Sequence, residues 1–155
     1  MKRGLCIAAL GVWVITIVLG AWIFVTGWTR PGTDGRQEII LAPAERDQIL
    51  AEMRILLKAI HGVVTELGRP DGEMPLAEQA ARAAGMKMAA DTSPAIMAKL
   101  PLPFKQMGMS IHKDMDALAD AIVQKETSQQ ILQRLSSMTA RCTTCHDLYR
   151  FAAER

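Results

Sequence analysis

SQQILQRLSSMTARCTTCHDLY, residues 128–149, spaces its apolar side chains three and four apart: Ile131, Leu132, Leu135, Met138, Cys142, Cys145, His146 and Tyr149. That spacing follows the 3.6-residue turn of an α-helix and not the alternation of a strand. Thr127 or Ser128, just ahead of the run, has the side-chain oxygen that caps a helix start. Cys142 follows Met138 by four residues and His146 follows Cys142 by four, so both thiols and the imidazole continue the stripe predicted to face the core.

The same period recurs upstream. From Ala44 to Leu67 it runs through Ile49, Leu50, Met53, Leu56, Leu57, Ile60, Val63 and Val64, and Gly68 with Pro70 ends it. Residues 76–90 predict a short helix rich in small side chains, and DTSPAIMAKLPLP (91–103) interrupts the chain with three prolines. A further stripe over 103–125 passes through Phe104, Met107, Ile111, Met115, Leu118 and Ile122, with proline suited to its first turn. Helix formers dominate, aromatics are few, and no alternating Val, Ile or Thr run follows residue 30, so no sheet is expected. The fold class predicted is all-α: four helices of similar length on short connections, an antiparallel up-down four-helix bundle over residues 44–155.

Residues 1–29 are of a different material. From Leu5 to Trp28 there is no charge; at about 1.5 Å per residue the segment reaches roughly 36 Å, enough to cross a bilayer core of about 30 Å with some tilt. This predicts one N-terminal transmembrane helix, an uncleaved signal that anchors the chain. Lys2 and Arg3 precede it, which holds the N terminus in the cytoplasm and sends the rest across, with Trp28 at the far interface. The alternative, a cleaved signal peptide, has a shorter apolar region and a small-x-small site that is not found before Thr29. Cys6, within the span, reads as a small apolar residue. Residues 30–43, rich in Gly, Pro and Asp, read as a linker.

Charge narrows the partners. The chain has 18 Lys plus Arg and 16 Asp plus Glu, and setting aside Lys2 and Arg3 leaves 16 of each. The exported domain is neutral, without the basic stripe that a nucleic acid requires. No Ser, His and Asp set suggests a hydrolase, and His61 and His112 are isolated, so the chain is not expected to be an enzyme.

Cys142, Cys145 and His146 form C-x-x-C-H, the arrangement that attaches c-type haem: each sulfur forms a thioether with a vinyl group and the adjoining imidazole ligates the iron. Three other readings of these letters are weaker. A redox C-x-x-C normally opens a helix, where the dipole favours thiolate, whereas this pair lies late in one. Structural zinc needs four ligands and no second pair is found. A disulfide within one helical turn constrains little. Export agrees with haem, because c-type attachment takes place across the membrane.

The export segment, the four-helix domain and RCTTCHDLYR near the C terminus resemble the class II cytochromes c, that is, cytochrome c prime and its six-coordinate, methionine-ligated relatives. The resemblance implies one haem c held by Cys142 and Cys145, His146 as the fifth ligand of the iron, and a residue of the first bundle helix on its other side. It departs from the family's familiar soluble members in its anchor. In an up-down bundle, a residue as far from the start of 44–67 as His146 is from the end of the last helix stands at haem height, and that count reaches Met53. Met53 is the first candidate for sixth ligand, ahead of an open position. His112, about 80° off its own stripe at 100° per residue, comes after both. Arg141 and Tyr149 are haem-contact candidates, the one toward a propionate and the other toward the ring edge. Asp114, Asp116 and Asp120 read as a solvated face, and small residues at Ala81, Ala83, Ala84 and Gly85 would leave room for a macrocycle or permit close helix packing.

The function expected is a monohaem cytochrome on the periplasmic side of the inner membrane, carrying single electrons beside a quinol-oxidising or terminal complex. The alternative is a five-coordinate protein that binds nitric oxide or carbon monoxide. Redox proteins and the membrane, through residues 5–28, are the partners expected. Related bundles often dimerise, but no exposed stripe marks a homodimer face.

Overall fold

The computed structural model describes residues 2–153, and the chain is mostly helical. Helix α1 (Lys2–Thr26) is followed by strands β1 (Thr29–Pro31) and β2 (Gln37–Leu41). Helices α2 (Pro43–Gly68), α3 (Met74–Ala83), α4 (Met86–Ala89), α5 (Pro94–Lys99), α6 (Leu102–Val123) and α7 (Ser128–Leu148) come next, and β3 (Tyr149–Ala153) closes the order. Helix α3 packs on α2 and α6, and α6 packs on α7. The start of α7 is the expected one: the Thr127 hydroxyl accepts from the Gln130 amide, and the Gln130 side chain accepts from the Thr127 amide in return.

The sheet corrects the expectation of none. β2 pairs antiparallel with β1 and parallel with β3. Residues 30–43 are therefore not a free linker, and the chain after Leu148 is extended rather than helical. Such short strands draw their stability from a partner, and here Glu38 and Arg150 pair across 112 positions of sequence, a contact that no local pattern signals. In register, Arg30, Glu38 and Arg150 lie side by side across all three strands, and Glu38 pairs with both guanidinium groups. Hydrogen bonds from Arg30, then from Arg150, hold the Glu38 carboxyl below its ordinary value of 4.5.

The predicted helix 76–90 is also corrected. It breaks at Ala84 and Gly85 into α3 and the single turn of α4, so it is shorter than its partners. Ala77, Ala81 and Ala84 are fully buried against α2 and α6, so these small side chains serve close packing. Two apolar cores result. One joins Val63, Met115, Leu118, Ile131, Leu135 and Met138; the other joins the sheet's Ile39 and Leu41 to Ile49, Ile96, Leu100 and Phe104.

Helix α1 is long and apolar enough to cross a membrane over Ala9–Thr26, and the side chains described there are exposed up to Val25. Its C-terminal end is fixed to the domain. Gly27 turns the chain at φ +61°, where a β-carbon would lie 2.5 Å from the Lys99 carbonyl oxygen, so the position requires glycine. The Trp28 amide donates to that same oxygen at 2.8 Å, and the Lys99 ammonium lies 4.8 Å from the Trp28 ring centroid.

Candidate functional site

Helices α2, α6 and α7 and the α4–α5 region line a half-open cavity of about 540 Å³, within the ~300–1,000 Å³ typical of ligand pockets. Cys142, Cys145 and His146 line it from α7, Met53 from α2 and His112 from α6. The whole predicted set of thiols, imidazole and sixth-ligand candidates meets at one cavity. The two cores also meet there, with Cys142 packed against the first and Cys145 against the second.

The α7 stripe changes character along its length. Ile131, Leu135 and Met138 are buried in the first core, whereas Cys142 and Cys145 are half-buried and His146 is exposed at the cavity's edge. The expected buried face thus runs out of core and into open volume. Both thiols are free. Burial pushes the Cys145 thiol up to about 11 and raises Cys142 as well, although Arg141 acts in the opposite sense on the latter. A redox dithiol requires the reverse shift, because the thiolate is the nucleophile.

Comparison with protein-family models, curated proteins and solved structures finds no match, so the cavity's own geometry carries the functional reading. Among the described residues, no three His, Cys, Asp or Glu side chains converge as ligands for a bare metal ion. The cavity supplies sulfur donors and imidazole nitrogen on apolar walls.

His112 and Met53 are held differently. His112 is only 6% exposed, and its Nδ1 lies 2.8 Å from the carbonyl oxygen of Ala84. Met53 is half-buried against the second core, which it shares with Cys145. Gly108, one turn before His112, also lines the cavity, and a β-carbon there would meet nothing within 4 Å.

Of the remaining predicted residues, Arg141 pairs with Asp114 of α6 and lines a separate polar cleft between α6 and α7. Tyr149 packs edge-on against Phe104, with ring centroids 5.6 Å apart, at the end of the cavity helix. The aspartates of α6 are not merely solvated: Asp116 accepts from the Met86 amide at 2.9 Å and Asp120 pairs with Arg82. Lys105 was not foreseen. Its residue is buried, it lines the cavity, and its ammonium donates to the Phe24 carbonyl at 2.9 Å. A polar residue in the first turn of an apolar stripe was the only signal for it.

Proposed function

We propose that this chain is an exported, membrane-anchored monohaem cytochrome of the c type that carries single electrons. The observation behind the reading is that Cys142, Cys145 and His146 line the same cavity as two residues able to serve as a sixth ligand, Met53 and His112. In this reading Cys142 and Cys145 hold the haem through thioethers and His146 supplies the proximal nitrogen, while apolar α2 side chains such as Leu56 and Ile60 exclude water. The bound group supplies the reversible one-electron couple. The protein keeps it from being lost outside the cell and sets its potential through the ligand facing His146. Helices α2, α3, α6 and α7 act as the up-down bundle in this proposal, and Lys2 and Arg3 orient the anchor so that the domain lies on the periplasmic side.

The test is to express the full chain in cells competent for c-type maturation and examine it after denaturation. Haem that stays with the polypeptide, and is lost in the variant carrying both Cys142→Ser and Cys145→Ser, supports the proposal. A chain that acquires no covalent haem would sink it. A reduced protein that binds carbon monoxide at once would replace electron transfer by the gas-binding reading.

A further inference from the structure

Resting on the haem reading, the geometry points to His112, and not Met53, as the ligand opposite His146, which makes the centre bis-imidazole. A carbonyl oxygen can only accept. The contact between His112 Nδ1 and the Ala84 oxygen at 2.8 Å therefore places a proton on Nδ1, and in the neutral ring that leaves the lone pair on Nε2. Nε2 has no hydrogen-bond partner among the described residues, and the residue lines the cavity. An imidazole that donates one nitrogen to a backbone carbonyl and keeps the other for a metal is the usual way such a ligand is oriented and its tautomer fixed.

The backbone that receives this hydrogen bond is itself braced. Ala84 ends α3, where helix carbonyls lack intrahelical partners. Gly85 then turns the chain, and a β-carbon there would run into the Asp116 carboxylate. Asp116 stands one turn beyond His112 on α6 and accepts from the Met86 amide at 2.9 Å. Helix α6 thus grips the 84–86 turn at both ends, through His112 and Asp116, and that turn fixes the ring. Gly108, one turn before His112 on the cavity side, has open space where a β-carbon would stand. Met53 has an apolar environment beside Cys145 that accounts for it without an iron bond.

Two nitrogen ligands place the reduction potential below that of a His and Met pair, since a thioether favours the reduced iron. They also close the iron to exogenous gases.

The experiment uses the full anchored chain in detergent, matured with covalent haem, and reads optical, electron-paramagnetic-resonance and near-infrared magnetic-circular-dichroism spectra. The expected wild type is low spin, lacks the charge-transfer band of a methionine-to-iron bond and does not respond to carbon monoxide. His112→Asn keeps a donor for the Ala84 oxygen but has no second ring nitrogen. It should retain covalent haem, turn high spin, bind carbon monoxide and return to low spin on addition of imidazole. Met53→Ala, which alters the cavity wall, should nevertheless stay low spin and unresponsive to carbon monoxide. A methionine band in the wild type, or a low-spin spectrum that survives His112→Asn, would overturn the assignment while leaving the cytochrome reading standing. Absence of covalent haem in the wild type would end both.

Discussion

The ammonium of Lys105 donates to the carbonyl oxygen of Phe24 at 2.9 Å, so a buried cation of the cavity wall closes the C-terminal end of α1. It also lies 3.7 Å from the Phe24 ring centroid. Late carbonyls of a helix lack partners and carry its negative pole, and a cation answers both needs. Burial pulls the Lys105 ammonium below its ordinary value of 10.5. Lys105→Met keeps the apolar stem and removes the donor, and it is expected to cost about 1.5–3 kcal/mol, the range for a hydrogen bond to a charged group. Thermal unfolding in detergent, together with faster proteolysis between residues 26 and 36, checks it; an unchanged midpoint would mean that the junction is held by Gly27 and Trp28 alone.

Glu38 gives the pH dependence. Its carboxyl titrates below 4.5 in the folded protein because Arg30 and Arg150 bond to the charged form. A carboxyl with a depressed folded pKa contributes stability that is complete above the ordinary value and is lost as pH falls through the folded one. Thermal midpoints should therefore drop below about pH 4.5, and Glu38→Gln should be less stable than the wild type at neutral pH, with the difference shrinking on acidification. Parallel curves for the two proteins would show that the triplet contributes nothing through its charge.

Gly85 and Asp116 should behave as a coupled pair. Gly85→Ala drives a methyl group into the carboxylate and is expected to cost about 1–3 kcal/mol, as overpacking does. In an Asp116→Ala background the obstacle is gone, and the same change should cost clearly less. A double-mutant cycle from chemical denaturation measures the coupling, and additive costs would count against the contact.

The thiols make a kinetic prediction. In a Cys6→Ala, Cys142→Ser chain made without haem attachment, Cys145 should react slowly with iodoacetamide at neutral pH. Because burial alone already raises its pKa above the ordinary 9.0, the rate should rise about tenfold per pH unit through the neutral and mildly alkaline range. Fast alkylation at neutral pH would instead reveal an activated thiolate and favour dithiol chemistry.

Much of the site was legible in the chain. The period of residues 128–149 and the cap at Thr127 place α7, and counting helix heights from His146 leads to Met53, which lines the same cavity. The burial of His112 was not legible there, for a physical reason. Helix α6 is covered on more than one side, and its buried residues include Phe104, Lys105, Ile111, His112 and Met115, an arc wider than a single apolar stripe. A polar residue at the margin of that arc can be buried once a carbonyl such as that of Ala84 satisfies it.

Local periodicity and local chemistry sufficed for the apolar span, the helical character of the domain and the C-x-x-C-H on the cavity-facing helix, because each depends on residues within a turn or two of one another. The parallel pairing of β2 with β3, the lock of Lys105 on Phe24 and the hydrogen bond that orients His112 join residues far apart in the chain. Such contacts form only after loop closure has been offset by burial elsewhere, so they leave no periodic trace, and folding alone decides them.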